Sequence, residues 1–125
     1  MKILAIDYGK KWIGLAISDD GHKLAFAYKT LENDSKVFSV LNEIVKKEEI
    51  YKIVIGLPIN KKMEKTPQTI EVENWAKELA GKIKIHINFE NEIFTSKAAD
   101  KLGVKNQHAA AAAIFLQSYL DRSNK

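Results

Sequence analysis

Residues 1–30 hold three short strand-like runs, and the connections between these runs are too short to contain a helix. Residues 2–8 are apolar up to Asp7, residues 12–18 are again apolar, and residues 23–30 alternate apolar and polar side chains. The Asp-Asp-Gly sequence at 19–21 is typical of a hairpin turn. Because strands joined by such tight connections pair antiparallel, the sequence predicts an N-terminal meander of three strands.

The rest of the chain alternates helical and strand-like patterns. The predicted elements are a helix around 37–45, a strand at 52–57, a helix at 67–80 that Thr66 starts and Gly81 ends, a strand at 82–89, and helices at 95–103 and 107–121. Crossover connections through helices place the two later strands parallel to the first. The expected fold is α/β, a five-stranded mixed sheet with helices on both faces, in a single domain spanning residues 1–125.

Composition narrows the class of protein. The chain has 125 residues, of which 46% are hydrophobic and 29% charged, as in an ordinary globular domain. No apolar run approaches the roughly 20 residues that span a bilayer, and no secretory signal pattern is present, so we expect a cytoplasmic protein without a membrane partner. The absence of cysteine excludes disulfides and thiolate chemistry. The net charge of +4 comes mostly from lysine and suits a polyanionic partner without requiring one.

Asp7 is the strongest candidate for chemistry, because it interrupts the apolar N-terminal run and a buried carboxylate needs compensation. One interpretation makes Asp7 a ligand for a metal ion or a phosphate-bound water at the end of a strand. The other makes it part of an Asx turn that leads into Gly9. The residues alone leave both interpretations open.

Partners for Asp7 in a cation site would have to come from other elements. Glu90 and Glu92 follow the predicted strand at 82–89. An exposed glutamate is ordinarily a solvated surface residue, but ligand sites gather at the carboxyl ends of parallel strands. His108 lies on the apolar face of the last predicted helix, where a lone histidine is more often a core residue than a ligand.

Polar and basic residues near these acids are candidates for contacts with phosphates. The segment 56–60 leaves a strand; its glycine permits close approach of the backbone and Asn60 can donate to a phosphate, although a simple turn is the favoured interpretation. Neighbouring lysines form either an electrostatic funnel around the acids or a merely solubilising surface. These lysines are Lys10, Lys11, Lys61, Lys62 and Lys65.

Four motifs, in the same order along the chain, resemble the YqgF (RuvX) family, whose members are described as Holliday junction resolvases and as pre-16S rRNA nucleases. The family's Asp-Tyr-Gly-x-Lys-x-Ile-Gly-x-Ala pattern appears at 7–16, and its Gly-Leu-Pro at 56–58. Its glutamate motif, followed by threonine and serine, appears at 91–96. Its alanine-rich ending with Leu-Gln-x-Tyr-Leu appears at 108–120.

The resemblance implies a ribonuclease H-like fold and an endonuclease that uses Mg²⁺ or Mn²⁺ on structured RNA or branched DNA. Maturation of the 16S rRNA precursor is implied more readily than junction resolution, which makes the ribosome precursor a candidate partner. The implied catalytic and metal residues are Asp7 as a bridge between two ions, Glu92 on one ion, and His108 on the other or on the water. The implied nucleic-acid contacts are Gly9, Lys10, Lys11, Asn60, Lys61, Lys62, Lys65, Thr95 and Ser96.

This chain departs from the family pattern at charged positions. His108 stands where the family has a third acid, and Trp12 and Ile93 stand where it has arginines. A neutral imidazole still binds metal and shifts the preference toward softer ions such as Mn²⁺. The alternative function is a nucleic-acid- or ribosome-binding module with a weakened site. An ATP-binding domain of the actin type, whose phosphate loop also begins with Asp-x-Gly, is excluded because such proteins need two domains around the nucleotide.

Overall fold

The computed structural model describes residues 1–60, 62–93 and 107–123. The elements in chain order are β1 (Lys2–Asp7), β2 (Trp12–Ser18), β3 (Ala25–Glu32), α1 (Val37–Lys47), β4 (Ile50–Ile59), α2 (Pro67–Lys82), β5 (His86–Ile93) and α3 (Gln107–Ser123). The helix expected at 95–103 lies outside the described residues. Within the described ranges, no helix is long and apolar enough to cross a membrane.

The five strands form one sheet in the order β3-β2-β1-β4-β5. β1 pairs antiparallel with β2, and β2 pairs antiparallel with β3. β4 runs parallel to β1, and β5 runs parallel to β4. The predicted meander, the two parallel crossovers and the mixed sheet are therefore confirmed. The central strand β1 ends at Asp7, which pairs with Gly14 of β2.

The sheet buries both of its faces, because side chains alternate between the two sides of each strand. Leu4 and Ile6 of β1 belong to a core that α1 and α2 cover. Ile3 and Ala5 belong to a second core that α3 covers. Alternation places Asp7 on the side of Ile3 and Ala5, which is the side that faces α3.

The predicted end of the strand at 52–57 and the predicted junction between α2 and β5 are wrong. β4 does not stop at residue 57 but continues through Pro58 to Ile59, because β5 pairs with it as far as Ile93. The segment 56–59 is therefore strand and not a loop. Gly81 does not end α2, which runs to Lys82, and β5 begins at His86 rather than at 82.

The end of α2 explains the second error. Ile83 is buried, and its backbone N–H donates to the Leu79 carbonyl oxygen at 2.8 Å, so it closes the helix instead of opening a strand. A Cβ on Gly81 would meet no atom within 4 Å, so no turn or close approach requires this glycine. The alternation of isoleucines through 83–87 is compatible with either arrangement, and the hydrogen bond from the Ile83 N–H to the Leu79 carbonyl oxygen decides between them.

Candidate active site

The structure brings Asp7 and His108 together at the carboxyl end of β1. Nδ1 of His108, in the first turn of α3, lies 3.1 Å from Oδ2 of Asp7. The side chains retain 23% exposure for His108 and 18% for Asp7, so both are largely buried yet within reach of a ligand. An ionised carboxylate only accepts hydrogen bonds, so this bond places a proton on Nδ1. In a neutral ring, the lone pair is then on Nε2.

Two glycines allow this approach. A Cβ on Gly14 would overlap the carbonyl group of His108 and the backbone nitrogen of Ala109. A Cβ on Gly9 would overlap the Trp12 carbonyl oxygen and lie 2.9 Å from Cε1 of His108. The first turn of α3 therefore rests directly on β2 and on the loop after β1. Gly9, expected to contact nucleic acid, also makes room for the histidine ring.

The structure bears on both open interpretations of these residues. His108 opens a helix whose Ala109, Ala112 and Leu116 are buried, but its ring reaches the carboxylate of Asp7 instead of ending in the apolar core. Asp7 receives its compensation from a residue 101 positions away in the sequence. The two residues therefore form a polar pair that links the central strand to the last helix.

Glu92, the third candidate, lies within β5 at the position that pairs with Pro58. The strand was expected to end before it. Its side chain lies outside the described part of the structure, so its convergence with Asp7 stays a prediction. Two residues earlier, the carboxylate of Glu90 accepts a hydrogen bond from Arg122 of α3. This contact links the helix to the sheet.

The candidate phosphate-binding residues lie mostly on the surface, in ion pairs or turns. Lys10 Nζ lies 3.7 Å from Glu71 Oε1, and Lys65 Nζ lies 2.9 Å from Glu73 Oε2. Such exposed pairs contribute about 0–1 kcal/mol, so the pairing does not prevent either lysine from contacting a nucleic acid.

The other candidates either make contacts within the protein or are exposed to solvent. Lys11 Nζ lies 5.7 Å from the centre of the Trp12 ring, and Lys62 is exposed. Asn60 accepts from the backbone N–H groups of Lys62 and Glu64, each at 2.9 Å, so its carbonyl oxygen closes its own turn. Lys61, Thr95 and Ser96 lie outside the described residues.

A cavity of about 300 Å³ borders Gly9, the residue that also lies against the His108 ring. It is lined by Tyr8, Gly9, Lys10, Pro67, Gln68 and Glu71. The Tyr8 hydroxyl donates to Oε2 of Glu71 at 2.9 Å. Burial raises the pKa of Tyr8, and the hydrogen bond and negative charge of Glu71 raise it further, so the hydroxyl remains a donor at neutral pH. The sequence interpretation missed Glu71, because nothing in its local pattern shows that α2 crosses beside the loop after β1.

Asp7 and His108 offer one oxygen and one nitrogen donor to a divalent ion. With the proton of His108 on Nδ1, held by Oδ2 of Asp7, the ring nitrogen left to bind an ion is Nε2. Among the described side chains, no group of three or more His, Asp or Glu residues is arranged to hold a metal. The donors that are described fit Mn²⁺ or Mg²⁺, and a third ligand would have to come from outside them.

Comparison with known proteins gives a family, curated relatives and solved structures. The profile of the family described as "RuvX: Holliday junction resolvase" matches residues 1–122. A protein of Maridesulfovibrio salexigens named "Putative pre-16S rRNA nuclease" is 38% identical over 135 residues, covering 98% of this chain and all of that protein. A protein of the same name from Rickettsia rickettsii is 37% identical, covering 95% of this chain and 85% of the relative.

Two solved structures share the fold. RuvC of Thermus thermophilus in complex with a Holliday junction substrate superposes with a TM-score of 0.62 at 14% identity, covering 99% of this chain and 96% of that one. The Fowlpox virus resolvase in complex with Holliday junction DNA superposes with a TM-score of 0.55 at 13% identity, covering all of both chains. The expected ribonuclease H-like fold is confirmed.

Proposed function

The chain belongs to the RuvX family, and from this premise we propose that it is a metal-dependent endonuclease that hydrolyses a phosphodiester bond in structured RNA. The contact between Asp7 and His108 at the end of the central strand carries the proposal. Relatives with 38% and 37% identity are named for pre-16S rRNA, while the structural neighbours that hold Holliday junction DNA are 14% and 13% identical. These identities favour the 5′ end of the 16S rRNA precursor, in the cytoplasm, over branched DNA.

We assign Asp7, Glu92 and His108 as the residues that would hold Mg²⁺ or Mn²⁺. A bound divalent ion supplies charge stabilisation at the phosphate and activation of a water molecule. With the imidazole of His108, the donor set would contain one nitrogen in place of a carboxylate oxygen. This replacement favours Mn²⁺ relative to Mg²⁺.

The chain itself positions these groups. Gly9 and Gly14 let the first turn of α3 approach the sheet, so that Asp7 fixes the orientation of the His108 ring. Lys10 and Lys11 lie in the loop after β1 and would attract the phosphate backbone toward the two residues. The remaining proposed nucleic-acid contacts are Asn60, Lys61, Lys62, Lys65, Thr95 and Ser96.

A second candidate function is a nucleic-acid- or ribosome-binding module. It is favoured by the replacement of an acid with His108 and by the hydrogen bond that already occupies both His108 and Asp7. In that case the lysines govern the affinity, and no metal-dependent cleavage occurs.

Cleavage of a precursor fragment that spans the 5′ end of 16S rRNA separates the two functions. We expect the wild type to cleave with Mn²⁺ and more slowly with Mg²⁺. Asp7→Ala should reduce the rate at least about 100-fold, since even groups that only support a metal ligand contribute about 10–100-fold. RNA binding should be intact or tighter, because a negative charge near the phosphates is removed. His108→Asp should shift the preference toward Mg²⁺.

Asp121→Ala, which removes an exposed carboxylate at the far end of α3, is the matched control and should cleave like the wild type. Cleavage that survives Asp7→Ala would place the active site elsewhere. RNA binding without cleavage in either metal would establish the binding module instead.

A further inference from the structure

The cavity that borders Gly9 has the size of a subsite for part of the substrate. Its volume of about 300 Å³ is at the lower end of the range for small-molecule sites, about 300–1,000 Å³. Gly9 lines the cavity and also lies against the His108 ring. The cavity and the proposed cleavage site therefore share Gly9 as a common border.

The walls of this cavity are held in place by contacts with the core and with each other. The Tyr8 ring packs on Trp75, with ring centres 5.2 Å apart, and Trp75 stacks on Phe38 at 5.5 Å. The Tyr8 hydroxyl fixes one oxygen of Glu71 at 2.9 Å. The positions of the Tyr8 ring and the Glu71 carboxylate are therefore fixed by contacts within the protein.

The charges in the cavity favour a base over a phosphate. Glu71 retains 34% side-chain exposure and presents a carboxylate, which would repel a phosphate. Lys10 is 84% exposed and lies 3.7 Å from Oε1 of Glu71, so a donor stands beside two acceptor oxygens. Protein sites that distinguish unpaired bases bind their Watson–Crick edges with such groups.

Guanine is the base whose Watson–Crick edge complements two carboxylate acceptors with a lysine donor beside them. Its Watson–Crick edge carries two adjacent donors, N1–H and the N2 amino group, followed by the acceptor O6. Adenine and cytosine each present one donor beside a ring nitrogen that accepts, and uracil presents one donor between two acceptors. A carboxylate, which only accepts, would therefore repel part of the edge of every base except guanine.

We propose that this cavity binds an unpaired guanine of the RNA strand, with Glu71 accepting from N1–H and N2 and Lys10 donating to O6. The assignment rests on the proposed nuclease function, because the guanine would belong to a nucleotide next to the phosphate that is cleaved. It gives the enzyme a base preference at a fixed distance from the cut.

Binding measured without metal tests the proposal independently of cleavage. Fluorescence anisotropy would compare the full chain, in EDTA, with labelled 12-nucleotide RNA strands of uridine that carry a single central guanine, inosine, adenine or no substitution. We expect the guanine strand to bind about tenfold more tightly than the adenine and all-uridine strands. Inosine, which lacks the N2 amino group, should fall between them.

Glu71→Gln gives the sharpest variant. The glutamine carbonyl oxygen still accepts from Tyr8, so the thermal unfolding midpoint should be unchanged. Its amide offers one donor and one acceptor, which complement adenine, so the guanine preference should be lost and adenine should bind at least as tightly. Glu43→Gln removes one exposed negative charge on α1 and should retain the wild-type preference.

Every outcome of these measurements either supports or contradicts the guanine-binding proposal. Equal affinity for all four strands, binding of none of them, or a guanine preference that survives in Glu71→Gln would overturn the proposal. A guanine preference in a protein that never cleaves RNA would sustain the cavity assignment and refute the nuclease. Cleavage by a protein without a guanine preference would sustain the nuclease and refute the cavity assignment.

Discussion

Gly14 decides where His108 lies, although it carries no functional group. Because β1 and β2 pair Asp7 with Gly14, the missing side chain on β2 opens a space directly beside the carboxylate. The backbone of His108 fills that space. A glycine inside an otherwise apolar strand is a signal for close approach of another backbone, and here the approaching backbone is that of the residue that completes the pair.

Gly14→Ala tests this arrangement. Its Cβ would overlap the His108 carbonyl group, so α3 must shift. We expect the free energy of unfolding to fall by about 1–3 kcal/mol, as for other overpacked sites, and cleavage to be lost with the Asp7 contact. Urea denaturation measures the first effect and the precursor assay the second. Gly81→Ala is the control: its Cβ would meet nothing within 4 Å, and it should stabilise α2 by about 0.5–1 kcal/mol. A Gly14→Ala protein with wild-type stability would contradict this account.

At the scale of elements, the start of α2 is tied to the end of β4. Thr66 accepts from the Thr69 backbone N–H at 3.3 Å, and the Thr69 hydroxyl accepts from the Thr66 N–H at 3.0 Å. The same hydroxyl donates to the carbonyl oxygen of Pro58. The sequence predicted Thr66 as the start of the helix, and the structure confirms it. This junction fixes the start of α2, whose first five residues include Gln68 and Glu71 of the cavity.

Thr69→Val removes the hydroxyl while keeping the shape of the side chain. Thr69 is fully buried, so the N–H of Thr66 and the carbonyl of Pro58 each lose a partner. Unsatisfied buried groups cost about 1–3 kcal/mol, and we expect a loss of that size in urea denaturation, together with a weaker guanine preference. Thr30→Val is the control, because the Thr30 hydroxyl oxygen is buried without a hydrogen-bond partner among the described residues. It should be neutral or stabilising, and equal losses in both variants would refute the role of the junction.

At the scale of the molecule, local sequence patterns were sufficient to predict the sheet. They were insufficient to predict the contacts between segments that are distant in the sequence. The meander and the parallel crossovers follow from connection lengths, which are visible in the sequence. The end of β4 at Ile59 depends on pairing with β5, and the cavity depends on how α2 crosses the loop after β1. Both are contacts between distant segments. The Asp7–His108 pair was expected from the family resemblance, because spacing along the chain alone places His108 on an apolar face.

Metal binding provides a prediction for the whole fold, because the proposed ligands come from β1, β5 and α3. An ion that binds only the folded state stabilises it by RT ln(1 + [L]/Kd), about 2.7 kcal/mol at a concentration of 100 Kd. We therefore expect Mn²⁺ to raise the thermal unfolding midpoint of the wild type, and Asp7→Asn and Glu92→Gln to reduce the shift. Glu90→Gln should keep the shift, since its side chain is held by Arg122 and Gln can still accept that bond. A shift that is equal in all four proteins would mean that the ion binds elsewhere, whereas a shift lost in Glu90→Gln and kept in Glu92→Gln would move the third ligand back along β5.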